Sequence, residues 1–402
     1  MTNDKHNHTG AWRFLFRRIK SYIDEVAYRL LAFVPVSPRR KAIAIVRVDG
    51  IGDYILFRNI IPLLKRSAAY RDYDIYFVGN KLWKDLSLFL DGSYFRDSLW
   101  INKKQFLRNP IYRYYIFIKL RFVAVEVAVN PVYSRDFVDD AVMRAINACQ
   151  KVGYRGDAAN ISESQLREGD KIYSKFIGPS KDVSLFEFYR NKDFFSQLLG
   201  EQLDISRPSL AFNSSRQLCK CTSVNKPRYI VVFPGGGQDF KIWDYKSYGK
   251  IIRHVLDNHD HHIYIAGSKQ DAKHAAAILK HMGNPHVRIT NLTGTLSLVD
   301  LLYLLSRSSL YVGSDTGAAH MCACSGVPVI SFFTGQHFGR FAPYPDHFQY
   351  TFVPVYPPLI DLTKERYQEN ALLYRYSSPY TLKDILPERV IPFIDSILRR
   401  DA

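Results

Sequence analysis

Apolar positions fall at helical spacing in the opening stretch of the chain, and in short continuous runs thereafter. Over residues 11–34, Trp12, Phe16, Ile19, Ile23, Val26 and Leu30 share one helical face flanked by Arg13, Arg17, Arg18 and Lys20, a pattern that suits an anionic membrane surface or packing on the protein's own core. Pro35, Pro38 and Arg39-Arg40-Lys41 close this leader. The runs Ala42–Val46, Asp74–Gly79 and Phe122–Val129 then predict buried strands, because each is short, apolar and bounded by turn residues. Between the first two, Phe57, Ile60, Ile61 and Leu64 read as a helix that Pro62 should kink or shorten. Strands alternating with helices predict a parallel sheet covered on both faces.

Residues 157–226 lack clean periodicity and hold the expected interdomain passage. Beyond it the alternation resumes: strand Tyr229–Phe233, a helix through Tyr248, Ile251, Ile252 and Val255, and strand His262–Gly267. Ser297 and Asp300 signal a capping box ahead of Leu298, Leu301, Leu302 and Leu305, and strands Leu310–Gly313 and Val327–Phe332 bracket a helix starting near Thr316. The expected organisation is a leader over 1–41 and two α/β domains over 42–220 and 221–402, repeating in architecture and not in sequence.

Composition narrows this only slightly. With 402 residues, 47% of them hydrophobic and 14% aromatic, the chain has material for two cores. A net charge of +17 attracts anions, from nucleotides to lipids, without choosing among them. The basic leader belongs to no recognised nucleic-acid module, so no nucleic-acid partner is expected. Cys149, Cys219, Cys221, Cys322 and Cys324 form two C-x-C pairs and a singleton, a spacing that predicts reduced thiols and leaves a disulfide or metal role open only for Cys219 and Cys221. The polar start and the lack of any apolar run near 18 residues predict neither a secretion signal nor a transmembrane helix.

Three turns at predicted strand ends carry candidate chemistry. Pro234-Gly235-Gly236-Gly237 with Lys241 lets backbone amides and an ammonium approach a diphosphate, or is a structural turn with a surface lysine. It fits neither the dinucleotide fingerprint nor the P-loop. Ser314-Asp315-Thr316-Gly317-Ala318-Ala319-His320 places the amides of Thr316, Gly317 and Ala318 at a helix start, with Asp315 able to bind sugar hydroxyls. The alternative makes Asp315 or Thr316 an N-cap, and His320 an orienting or core residue rather than a base. Arg47-Val48-Asp49-Gly50-Ile51-Gly52-Asp53 follows the first strand, and either Asp49 or Asp53 can act as a general base there.

Taken together, in this order and spacing, the three motifs resemble glycosyltransferase family 9, the heptosyltransferases of the lipopolysaccharide inner core, over roughly residues 42–400. The resemblance implies a GT-B fold, two Rossmann-like domains with parallel sheets facing a cleft, and inverting transfer without a metal or cofactor. It implies a nucleotide-sugar donor such as ADP-heptose, a lipid-linked glycan or lipopolysaccharide acceptor, and a cytoplasmic site on the inner membrane. By position it makes Asp53 the base, Lys241 a phosphate ligand, Asp315 a sugar-hydroxyl ligand, and Thr316 with Gly317 the diphosphate cradle. Asp271 falls where the family often has a ribose-binding glutamate. The leader, the Ile60-Ile61-Pro62 placement, the loop Thr334–Phe341 and the tyrosine-rich segment 345–385 depart from the pattern. A silent nucleotide-sugar-binding scaffold and a GT-B sugar-nucleotide epimerase remain as alternatives.

Overall fold

The computed structural model describes residue 29 and residues 39–179, 186–212, 228–283, 286–348 and 351–399. The leader reading, Arg29 aside, and Cys219 and Cys221 lie outside the described residues. The chain divides into two compact units, the first taking the described residues of 1–49, 65–84 and 93–178 and the second those of 50–64, 85–92 and 179–402.

The first unit carries six strands: β1 (Arg40–Arg47), β2 (Asp74–Asn80), β3 (Phe95–Ile101), β4 (Ala124–Asn130), β5 (Asn147–Tyr154) and β6 (Lys175–Ile177). They lie in the order β3-β2-β1-β4-β5-β6, and every pairing is parallel. The last six residues of β1 are buried, as a continuous apolar run in a sheet covered on both faces requires. One face of the sheet packs against Ile116, Phe117, Leu120 and Val142. The strand expected from Phe122 starts at Ala124, because Phe122 caps the helix Pro110–Arg121. β3 and β5 were illegible as apolar runs: within β3 only Ile101 is buried, and β5 opens on Asn147 and carries exposed Gln150.

The second unit repeats the plan with β7 (Tyr229–Phe233), β8 (His262–Ile265), β9 (Ile289–Asn291), β10 (Leu310–Ser314), β11 (Val329–Phe332) and β12 (Phe352–Val355). Their order is β12-β11-β10-β7-β8-β9, again wholly parallel. Trp243, Ile252, Val255 and Ile278 fill its core beside Val232 and Val312, and the buried Trp243 indole donates to the Ile385 carbonyl at 2.9 Å. The predicted capping box forms, with Asp300 N donating to Ser297 Oγ at 3.1 Å.

The units are discontinuous in sequence, a difference from the single boundary at 220. Pro62 breaks the expected helix into Ile51–Phe57 and Ile60–Arg66, itself sitting in the first turn of the second piece, where it needs no amide donor. The first piece joins the second unit: Phe57 packs on Phe195 of the helix Glu187–Leu199 with ring centroids 5.7 Å apart. Buried Arg58 then pairs with buried Asp91 at 2.7 Å and donates to Ser209 O at 3.2 Å. These contacts carry 50–64, 85–92 and the described part of 179–212 into the second unit, although their sequence precedes its sheet.

Candidate functional site

In each sheet, the strand order reverses direction between the first and fourth strands, and the crevice outside their carboxyl ends is where open α/β sheets take ligands. In the second unit those strands are β7 and β10, which end directly at Gly235–Gly237 and at Asp315–Gly317. The two turns are therefore brought together by topology. A Cβ on Gly236 would come within 2.4 Å of Lys241 O, and Gly237 has φ +70, so the turn closes tightly over the short helix Asp239–Lys241. Lys241 Nζ reaches across to Asp315 Oδ2 at 2.7 Å. Lys241 is thus held in an ion pair, with its side chain 22% exposed.

Burial favours the neutral form of Asp315, but the Lys241 ammonium and then His320 hold its carboxyl below the usual carboxylate range. His320 is pushed down to about 4, chiefly by burial; Asp315 works against this and Lys241 adds to it. It is therefore a neutral imidazole near pH 7, with Nδ1 2.7 Å from the Tyr344 hydroxyl and its ring stacked on Tyr344. Of the two roles left open for His320, this geometry is that of an oriented, buried residue.

Thr316 occupies the N-cap position of the helix Gly317–Cys324 without a side-chain cap bond; its hydroxyl lies 3.2 Å from Tyr311 Oη. The first-turn amides, with buried Ala318 among them, are thus not capped by Thr316, and the positive end of the helix meets the Lys241–Asp315 pair. Asp271 sits next to the same turn: a Cβ on Gly235 would meet its carboxyl carbon at 2.3 Å. Its Oδ2 accepts from Ser268 N and Ser268 Oγ, each at 2.7 Å.

Asp53 belongs to this unit as well. Its Oδ2 accepts from Gly50 N at 3.2 Å, closing the first turn of Ile51–Phe57. That helix start packs on the start of Gly317–Cys324 at glycines on both sides. A Cβ on Gly52 would stand 2.7 Å from His320 Cδ2, and one on Gly317 would stand 2.7 Å from Ile51 Cβ. Gly52 is required here for close approach.

Arg47 and Asp49 lie in the first unit and pair with each other. The fully buried Arg47 guanidinium meets Asp49 Oδ2 through Nε at 2.9 Å and Nη2 at 2.7 Å. Asn80 Nδ2 and Trp83 Nε1 both donate to Asp49 O at 3.1 Å. Asp49 is thereby a structural counter-charge at the end of β1.

One histidine escaped the sequence reading. The loop after β11 carries His337 at φ +58 between Gly335 at +98 and Gly339 at +81. Its Nδ1 lies 2.9 Å from Arg375 O, and since a carbonyl only accepts, that nitrogen holds the proton and Nε2 keeps its lone pair. Burial first, then Arg340, lowers its pKa, with Lys241 and Asp315 also within electrostatic reach. Arg340 anchors the loop on buried Glu187, Nε to Oε2 at 2.8 Å. The available signal was two glycines flanking a polar residue just beyond the strand beside β10.

Among the described residues, one group is spaced to hold a metal ion: His254, His259 and Asp395, remote in sequence from these turns. Both Nε2 atoms approach Asp395 Oδ1, at 2.8 and 2.7 Å. Asn258 Nδ2 donates to His254 O at 2.9 Å and lies 3.3 Å from His254 Nδ1. That is a hydrogen-bonded clamp on the last helix. Cys322 and Cys324 are buried thiols, Cys324 pushed up to about 12, chiefly by burial.

Two parallel six-stranded sheets in this order, each with a switch point, define the GT-B class of fold. The family model of glycosyltransferase family 9 (heptosyltransferase) matches residues 141–371, and the chain belongs to that family. A lipopolysaccharide core heptosyltransferase of Haemophilus influenzae is 27% identical over 178 residues, 44% of each chain. Lipopolysaccharide heptosyltransferase 3 of Escherichia coli is 26% identical over 137 residues, 34% of this chain and 39% of the relative. The matches thus span less than half the length of these curated relatives. Among solved structures, a glycosyl transferase family 9 protein of Veillonella parvula superposes at TM-score 0.65 and 14% identity, covering 90% of this chain and 98% of that one. The E. coli ADP-heptose lipopolysaccharide heptosyltransferase II superposes at TM-score 0.62 and 15% identity, with 90% and 99% covered; at such identities the likeness is one of fold.

Proposed function

We propose that this chain is an inverting, metal-independent glycosyltransferase that moves heptose from ADP-heptose onto a lipopolysaccharide core or related glycan, at the cytoplasmic face of the inner membrane. The observation that carries the reading is the Lys241–Asp315 pair at the β7/β10 switch point, between a glycine turn and an uncapped helix start. The leaving diphosphate gains charge as the sugar departs. In this reading Lys241, once it leaves Asp315, and the amides of Gly317 and Ala318 stabilise that charge, the work a divalent cation would otherwise do. Asp315, released from Lys241 as the phosphate takes its place, accepts hydrogen bonds from sugar hydroxyls. Asp53 takes the proton from the acceptor hydroxyl while its oxygen attacks the anomeric carbon opposite the diphosphate. Asp271 takes the ribose. The choice of heptose and ADP follows the names of the relatives.

The test is incubation with ADP-heptose and heptose-deficient lipopolysaccharide, with and without EDTA, read by mass spectrometry of the acceptor. Addition of a single heptose, unaffected by EDTA, is expected. Conversion of the donor sugar without acceptor would mark an epimerase, and binding without turnover a scaffold.

A further inference from the structure

The helix pair Lys103–Arg108 and Pro110–Arg121 in the first unit breaks the ordinary rule for a surface helix. The longer helix buries Ile116, Phe117 and Leu120 in the core, so its opposite face should be polar. Instead that outer side and the adjoining turns expose Ile111 at 81%, Tyr115 at 52%, Phe122 at 48% and Leu107 at 38%. Ile111, Tyr115 and Phe122 advance by four and seven residues along the longer helix and its C-cap, one exposed stripe, and Leu107 is exposed on the shorter helix before it. Exposed Lys104, Arg108 and Lys119 are interleaved with it, and the Lys119 ammonium lies 5.6 Å from the centre of the Tyr115 ring.

Charge makes the stripe distinctive. From residue 98 to residue 125 the chain has six lysines and arginines and no acid. Lys103 is neutralised by Asp136 at 2.6 Å, and Arg113 is buried; the other four keep their charge on this side of the domain. Close by, burial first and then the cations Arg121 and Arg144 push the Lys151 ammonium down to about 8. The other exposed apolar stretch of comparable size, Leu359 to Tyr376, is interrupted by Asp361, Glu365 and Glu369.

We infer that the outer face of Lys103–Arg108 and Pro110–Arg121 is a docking surface for an anionic lipid bilayer. Its aromatic and aliphatic side chains enter the headgroup boundary and its cations meet lipid phosphates. A second copy of the chain is the poorer occupant, because two such faces would bring like charges together. The surface lies on the helices and spans nothing: among the described residues no helix is long and apolar enough to cross a membrane. It is distinct from the leader and rests on the inner-membrane placement proposed above, not on the transfer reaction.

The test is sedimentation of the full chain with vesicles of phosphatidylglycerol and phosphatidylethanolamine, against vesicles of phosphatidylcholine alone. The unaltered protein should partition onto the anionic vesicles and lose that binding as salt rises. A triple variant Ile111→Ser, Tyr115→Ser, Phe122→Ser and a triple variant Lys104→Glu, Arg108→Glu, Lys119→Glu should each bind at least ~10-fold more weakly, with circular dichroism and nucleotide affinity unchanged. Undiminished binding by both variants overturns the inference and assigns any membrane affinity to other parts of the chain. So does a lipid-free dimer that the serine variant dissolves.

Discussion

The carboxyl ends of the two sheets share one strand order and carry opposite kinds of chemistry. At the first, polar groups are spent on one another: Arg47 on Asp49, Asn80 and Trp83 on the Asp49 carbonyl, and Lys103 on Asp136. Asp139, buried there and beside Asp136, is held well above the usual carboxylate range. At the second, glycines let the turn close tightly on Lys241 and Asp271, a helix start is left uncapped, and the charged pair Lys241–Asp315 keeps part of its surface in solvent. A topology therefore provides two switch points, and the residues after the strands decide which becomes a rigid turn and which is open to the anion proposed above. The two aspartates of one motif fall on either side of that divide: Asp49 with the first unit, Asp53 with the second.

The sharpest way to break this comparison is to exchange the roles of those aspartates. Asp53→Asn keeps size and removes the proposed base, so transfer should fall by roughly 10²-fold or more with nucleotide affinity retained. Asp49→Asn should instead lower stability by about 3 kcal/mol, since it removes the negative charge that the fully buried Arg47 meets at 2.7 Å, while activity per folded molecule persists. Denaturant midpoints and initial rates on both variants decide it. Slow transfer by a stable Asp49→Asn protein, beside an active Asp53→Asn protein, would move the base to Asp49.

Smaller effects sharpen the second edge alone. Lys241→Ala should weaken nucleotide-sugar binding by about 2 kcal/mol, close to 30-fold, by calorimetry. Unchanged affinity would place the phosphates elsewhere. On the acid side, His320 titrates near 4 when folded against 6.5 in the ordinary range. The unfolded chain therefore binds more protons between these values, and stability should fall as pH drops from about 6.5 to 4. Asp315, lowered when folded, adds a loss that begins only below its ordinary value of 3.8. His320→Gln should flatten the upper part of that profile in thermal melts, and an unaltered profile would remove His320 as its source.

Most of the sheet scaffold was legible because buried parallel strands are written as continuous apolar runs, as in Tyr229–Phe233, and capped helices announce themselves, as at Ser297 and Asp300. β3, β5, β6, β9 and β12 were not, since short or half-exposed strands lack that run. Within the candidate site, the two turns at Gly235 and Asp315 were visible as glycine-rich strand ends. Their mutual ion pair was not, because residues 241 and 315 meet only through the β7/β10 pairing. Likewise, the identity of Gly52 could be read, but not its reason: its hydrogen stands where a methyl group would strike His320. His337 was hidden for a similar cause, since the contacts that hold it come from Arg375 and from Arg340 on Glu187, far away in sequence.

The central claim is that the donor diphosphate binds at the β7/β10 switch point, and a crystal structure of the chain with ADP-heptose, or with ADP alone, tests it most directly. The account predicts phosphate oxygens within about 3 Å of Lys241 Nζ and of the Gly317 and Ala318 amides, with the Lys241–Asp315 contact opened. A diphosphate bound anywhere else, with that ion pair intact, would contradict it.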